Sequence, residues 1–179
     1  MTNPEGTVTK RPSECTVAEC DGFAALVAAG GQVYVAGLRE RIAGADRLAF
    51  HYRNGALAGV GGLKNLPLSY REGIFRQARS SLRAADFPLE LGWVFVETAY
   101  RGTGISGSLV QALTEAAGDR NVYAISHTDN HPMHKSLERY GFGREGTPYP
   151  SAVEAGQVVQ LFVSPRRSRS AGERPADFA

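Results

Sequence analysis

Leu89-Glu90-Leu91-Gly92-Trp93-Val94-Phe95-Val96-Glu97-Thr98-Ala99-Tyr100-Arg101-Gly102-Thr103-Gly104-Ile105-Ser106 is the stretch from which the rest of this chain is read. Pro88 opens it, and the β-branched and aromatic residues up to Val96 predict a buried strand. Tyr100 to Ser106 is a glycine-rich turn. Leu109, Val110, Leu113 and Ala116 then mark the apolar face of a helix ending near Gly118. A strand that enters a helix through glycines makes an anion site. The N–H groups of the first helical turn lack internal partners, and the helix dipole adds about half a positive charge there. Gly102 and Gly104 allow close backbone approach, Arg101 supplies charge, and Ser106 and Ser108 offer hydroxyls. The turn is not a Walker A loop, because no Gly-Lys-Ser/Thr follows. Gly107 formally completes G-x-G-x-x-G, but the strand that follows begins at Asn121 and does not end on the acidic residue that a dinucleotide site requires.

Outward from that turn, strand and helix signals alternate. Val17 to Ala29 predicts a helix closed by Gly30-Gly31, and Val33 to Ile42 a second one with Val35, Leu38 and Ile42 on one face. Residues 47–53 and 56–63 form a hairpin about Asn54-Gly55, the second strand being glycine-rich and so suited to close backbone approach. Ser69 is placed to cap a helix running to about Ala85, with Ile74, Phe75, Ala78 and Leu82 as its core stripe. Its Arg76, Arg79 and Arg83 form a solvated face, with an anionic partner or a coenzyme phosphate as the alternative. Past the turn come a strand over 121–126, a helix over 130–140 stopped by Gly141, an extended stretch from Phe142 and a last strand over 158–163. This is an α/β pattern with at least one parallel crossover and a mixed sheet. Residues 1–13 read as a flexible arm, 14–164 as the domain, and the arginine-rich 165–179 as a disordered basic tail.

The chain has 179 residues, enough for one domain with a full core. A formal net charge of +2 argues against nucleic acid as partner. No apolar run approaches the roughly 20 residues that span a bilayer, and the first residues have no signal-peptide core. The expected location is therefore the cytoplasm, with no membrane partner. Cys15 and Cys20 read as reduced thiols, and the histidines have no metal-ligand spacing, so no metal is expected.

Val96 to Gly104 resembles the GNAT superfamily of N-acetyltransferases, which carries Q/R-x-x-G-x-G/A between its fourth strand and third helix. Arg101, Gly104 and Ser106 fill the three defined places, Ser106 departing from Gly/Ala. A second block, Asn130-His131-Pro132-Met133 through Leu137-Glu138-Arg139-Tyr140-Gly141-Phe142, is similar to the family's "Asn, helix, Gly-Phe" segment. The resemblance covers residues 89–142 most firmly. It implies a mixed, twisted, mostly antiparallel sheet of six to seven strands, with helices on both faces and a cleft splayed beside the fourth strand. It further implies acetyl-CoA as cosubstrate. Val94, Phe95 and Val96 would pair with the pantetheine and hold the thioester carbonyl. Arg101, Gly102, Thr103, Gly104, Ile105 and Ser106 would take the pyrophosphate, and Asn130 would reach the pantetheine arm.

Acetyl transfer to an amine needs a base, oxyanion stabilisation and a leaving thiolate. Glu90 is the base candidate, since an acidic residue in a buried strand is costly without a purpose or a partner. It stands eleven residues before Arg101, a spacing that matches the strand glutamate of histone-modifying relatives. The alternative is a glutamate paired to a nearby arginine. Many family members place a general-acid tyrosine seven residues after the asparagine, but here that position is Leu137. Tyr140, one helical turn on, and His127, closing its strand, are the remaining catalytic candidates. The acceptor is a primary amine of a small molecule or protein, and a homodimer is compatible with the class. Acceptor walls are expected over 20–45, 65–88 and 145–157, with Tyr70, Arg71, Tyr149 and Ser151 chosen by location alone. A non-catalytic acyl-CoA sensor on the same fold is the alternative function.

Overall fold

Leu48, Ala49 and Phe50 are all fully buried, so the strand that carries them is covered on both faces. The computed structural model describes residues 5–31 and 33–165. In chain order the elements are β1 (Gly6–Lys10), α1 (Val17–Ala29), α2 (Leu38–Ala43), β2 (Arg47–Arg53), β3 (Ala56–Lys64), α3 (Leu68–Gln77), β4 (Leu89–Val96), α4 (Ile105–Ala117), β5 (Val122–His127), α5 (His131–Arg139), β6 (Gly143–Pro150) and β7 (Val158–Ser164). They build one seven-stranded sheet in the order β1-β2-β3-β4-β5-β7-β6. Only β4 and β5 pair in parallel; every other pair is antiparallel. The expected mixed, mostly antiparallel sheet with helices on both faces is therefore the fold observed.

Three apolar clusters fix the layers. Leu109, Val110 and Leu113 of α4 pack with Leu137 of α5 on one face, over Leu63, Leu89, Leu91, Ala124 and Phe162. Phe23 and Val27 of α1 and Ile42 of α2 cover Leu48, Phe50 and Val60 on the other. Ile74 and Phe75 of α3 cover Tyr123, Leu161, Val163 and Tyr149 further along that second face. The glycines of β3 set the spacing: a Cβ on Gly59 would meet Ile105 at 3.0 Å, and one on Gly61 would meet Leu113 at 3.1 Å. Their absence lets α4 lie directly against the sheet.

Three boundaries differ from the sequence expectation. The loose arm expected over 1–13, of which residues 1–4 lie outside the described residues, is corrected in the rest: Gly6–Lys10 forms β1 on the free edge of β2. Thr7 and His51 share a 2.7 Å hydrogen bond, and the Asn54 N–H donates to Glu5 at 3.0 Å. An exposed strand edge offers unpaired amides to any nearby segment, and five polar-alternating residues are too few to announce that locally. The second helix begins at Leu38, not Val33, because Gly37 takes a left-handed φ of 67°. The third ends at Gln77, where Arg79 turns left-handed at φ 52°, leaving Leu82 exposed. The basic tail, apart from Pro165, lies outside the described residues.

Asp46, at the entry to β2, takes a bidentate ion pair from Arg120 beyond α4, at 2.7 and 3.0 Å. Those hydrogen bonds, opposed by burial, hold the Asp46 carboxyl below its ordinary range. A depressed carboxyl stabilises the fold above its unfolded pKa and loses that contribution as pH falls through the folded value. Asp46→Asn should cost about 1 kcal/mol at pH 7, partial exposure of Arg120 keeping the figure small. In urea titrations the gap between variant and parent should close as pH drops from about 4 toward 2.

Candidate active site

Only three residue pairs join the parallel strands: Leu89↔Val122, Glu90↔Tyr123 and Leu91↔Ala124. From Gly92 to Val96 β4 has no strand partner on that side among the described residues, while β5 stays paired to β7 as far as His127↔Val159. The split begins at a bulge. Gly62 pairs Gly92 and Val60 pairs Phe95, so Gly61 alone faces Trp93 and Val94. Trp93 takes φ 54°, a strained value for a bulky side chain. Its indole is held by an edge contact with Phe23 at 5.9 Å and by the Lys64 ammonium 5.4 Å above the ring. The bulge also resets the strand's alternation. Leu89, Leu91, Val94 and Val96 face α4, whereas Trp93 and Phe95 join the α1 side. The backbone groups of Val94, Phe95 and Val96 thus line an open split.

The glycine turn sits at the end of that split. Gly102 and Gly104 take φ values of 76° and 85°, and Gly104 is the residue from which α4 starts. A Cβ on either would enter open space. The first helical hydrogen bond runs from Ser108 N–H to the Gly104 carbonyl at 3.1 Å, so the N–H groups of Ile105, Ser106 and Gly107 have no partner inside the helix. The Arg101 guanidinium donates to the Val96 carbonyl at 3.2 Å and lies over the Phe95 ring. The hydroxyls expected to help bind an anion are engaged internally. Thr103 donates to the Tyr100 carbonyl at 2.6 Å, Ser108 to the Gly104 carbonyl at 3.4 Å, and Ser106 meets Ser136 at 3.3 Å. Backbone amides and Arg101 remain as candidate anion donors.

Glu90 is 4% exposed and points to the face opposite α4. One carboxylate oxygen pairs with the ammonium of Lys64, its cross-strand neighbour on β3. The other accepts the Tyr123 hydroxyl at 2.9 Å. Its partner is thus a lysine, not the arginine that sequence reasoning offered as the alternative. Tyr70, Tyr123 and Tyr149 all feel the Glu90 charge. Burial first and that charge second push the Tyr70 hydroxyl up to about 12, and the same two causes lead in raising Tyr123 and Tyr149 further. His127 closes β5 with its Nε2 at 3.2 Å from Glu154, in the β6–β7 connection. The Tyr34 hydroxyl donates to the Ala152 carbonyl at 2.8 Å, so the α1–α2 segment touches that same connection.

The other candidates lie elsewhere. The Asn130 side-chain Oδ1 caps α5 by accepting from Met133 N–H at 3.3 Å. Tyr140 donates to Gln111 at 3.2 Å, two turns into α4, and its ring lies beside Gly107. Leu137 is fully buried among the α4 residues, so this position faces core, and no acid could stand there in this chain. A hollow of about 600 Å³, lined by Arg11, Asp46, Arg47 and Arg120, lies at the far end of α4 from the glycine turn. Sequence reasoning missed Lys64, Tyr123 and Glu154. Each becomes a site residue only through strand pairing or loop closure, for which no local pattern exists.

The chain matches the model of the acetyltransferase (GNAT) family over residues 33–142. It belongs to that family. Comparison with curated protein sequences finds no match. Among solved structures, a GNAT-family acetyltransferase from Streptococcus agalactiae superposes with a TM-score of 0.66 at 14% identity, covering 94% of this chain and 100% of that one. An acyl-CoA N-acyltransferase from Pseudomonas aeruginosa gives 0.62 at 16% identity, over 88% and 98% of the two chains. An aminoglycoside 6'-N-acetyltransferase complexed with coenzyme A gives 0.62 at 15% identity, over 90% and 99%. No helix among the described residues is long and apolar enough to cross a membrane.

The bulge can be tested directly. A Cβ on Gly62 would stand 2.8 Å from the Trp93 ring. Gly62→Ala should cost about 1–3 kcal/mol through overpacking. Because Trp93 is the one tryptophan in the chain, its fluorescence should shift to the red as the indole is displaced.

Proposed function

We propose that the protein is an acetyl-CoA-dependent N-acetyltransferase acting on a primary amine, with Glu90 as general base. The observation that carries this reading is the coincidence of three features: the split after Leu91, the glycine turn at its end, and a buried carboxylate beside its start. An extended pantetheine arm would add to the unpaired edge of Val94, Phe95 and Val96, much as a strand adds to a sheet. The pyrophosphate would take the free amides of Gly102 to Ser106 with Arg101 beside them. Asn130, its Oδ1 used as a cap, keeps its amide N–H groups for the pantetheine.

The amine nitrogen attacks the thioester carbonyl carbon and loses a proton to Glu90. The tetrahedral oxyanion is stabilised by strand amides beside the bulge, and collapse breaks the C–S bond. Lys64 and Tyr123 each take one oxygen of Glu90 and fix its orientation, and each oxygen retains a lone pair for the incoming proton. Tyr140 is committed to Gln111 and His127 to Glu154, so the departing thiolate takes its proton from water in the open split.

Coenzyme A thiol release with an amine panel is the test. Glu90→Gln should lower kcat by at least about 100-fold, with the KM for acetyl-CoA little changed. Unchanged turnover would remove Glu90 as base. Tight acetyl-CoA binding by the parent with no amine acetylated would mark a non-catalytic sensor. Gly104→Ala forces a Cβ into a left-handed position at about 1 kcal/mol and into the space assigned to the pyrophosphate. Calorimetry should show the Kd for acetyl-CoA raised at least tenfold.

A further inference from the structure

The hollow at the far end of α4 gathers more positive charge than the fold uses. Its walls are the turn over residues 12–14, the end of α2, the entry to β2, the end of β3 and the chain just beyond α4. Arg11, Arg47 and Arg120 line it, and Asp46 is the one acid there among the described residues, a surplus of two positive charges (three less one). Arg120 takes both Asp46 oxygens, at 2.7 and 3.0 Å, and its Nε–H donates to the Ala117 carbonyl at 2.9 Å. Arg47 donates one N–H to the Asp46 carbonyl at 2.7 Å and stands 3.6 Å from a carboxylate oxygen that Arg120 already holds. The Arg11 guanidinium has no carboxylate partner among the described residues. Its backbone is nonetheless fixed: the Arg11 N–H donates to the Glu14 carboxylate at 2.7 Å, and the Arg11 carbonyl accepts from the Glu14 N–H at 2.9 Å.

Guanidiniums held together around one hollow repel one another, and an anion seated among them relieves that repulsion. The planar fork of arginine matches the oxygens of phosphate and carboxylate, two N–H groups at a time. Ser13 and Asn65 add a hydroxyl and an amide to the same walls. Among the described residues no aromatic or long aliphatic side chain lines the hollow, so charge and hydrogen bonds would carry recognition. Its volume of about 600 Å³ falls in the range of small-molecule sites. We propose that it is a second binding site, for a compact polyanion bearing phosphate or carboxylate groups. The 13 residues of α4 put it about 20 Å from the glycine turn, so the two sites fill independently. Such a site would exist whether or not the chain acetylates amines.

Thermal unfolding of the full chain with pyrophosphate, citrate or sodium chloride at matched ionic strength is the test, followed by calorimetry with the better polyanion. The pyrophosphate and citrate arms separate phosphate from carboxylate as the favoured group. At about 100 times its Kd a polyanion should raise the Tm by roughly 5 to 10 °C and then saturate, and chloride should not. Arg11→Ala and Arg47→Gln should each raise the Kd by about tenfold or more, since each removes a charged donor. Arg11 is exposed, so Arg11→Ala carries the test should Arg47→Gln fail to fold. Arg101→Ala, at the glycine turn, should leave the Kd within about twofold because the sites are distant. Shifts that chloride reproduces, or that never saturate, overturn the proposal. So does a Kd unmoved by Arg11→Ala, and binding lost in Arg101→Ala would put the polyanion at the glycine turn instead.

Discussion

The architecture turns on one interrupted hydrogen-bond ladder. β4 and β5 are parallel neighbours for three residues, and the bulge at Trp93 then carries β4 away. A strand that bulges twists more strongly, and the backbone groups it no longer shares with a neighbour must find other partners or remain available. Here they open onto the split along Val94 to Val96, where the Val96 carbonyl takes the Arg101 guanidinium. The strain of a left-handed tryptophan is offset by its packing against Phe23 and beneath Lys64. That packing also explains Gly62, the neighbour with no room for a side chain.

The same break sorts the chemistry by face. Leu89, Leu91, Val94 and Val96 support α4, and through it the glycine turn. Glu90 and Trp93 look the other way, into the gap between the core under α1 and the core under α3. A coenzyme in the split would therefore be reached from the opposite face by an acceptor meeting Glu90. Lys64 matters in this arrangement because a buried carboxylate without a counter-charge is expensive. The ion pair keeps Glu90 in the sheet, and Tyr123 orients it.

Much of this was legible locally. The helix Val17–Ala29 and the strand Leu89–Val96 were read with their observed boundaries, because apolar periodicity and flanking breakers act over a single turn or strand. The glycine turn and the α5 block were legible for the same reason: a left-handed φ and an unpaired helix start require particular residues at particular places. Where tertiary contacts override propensity, the reading slipped. Val33 to Ala36 carry helical spacing yet stay outside α2, and Gly6–Lys10 carry too short a strand signal to be read locally yet pair with β2 because its edge is open. The site shows the same division. Glu90 stood out as a charge among apolar residues. Lys64, Tyr123 and Glu154 are unremarkable in sequence and come to Glu90 and His127 only through register and loop closure.

The sequence by itself determined the order of strands and helices from α1 onward, the position of the glycine turn and the one acidic residue in the central strand. Each of these depends on interactions among residues close in the chain. Only the tertiary structure decided where the sheet opens, which cation faces Glu90 and which tyrosine is left with a buried, unpartnered hydroxyl. The first two are set by strand pairing between residues 26 to 37 positions apart. The identity of a cross-strand neighbour leaves no trace in local periodicity, because a slip of one residue would exchange the two faces without changing the pattern.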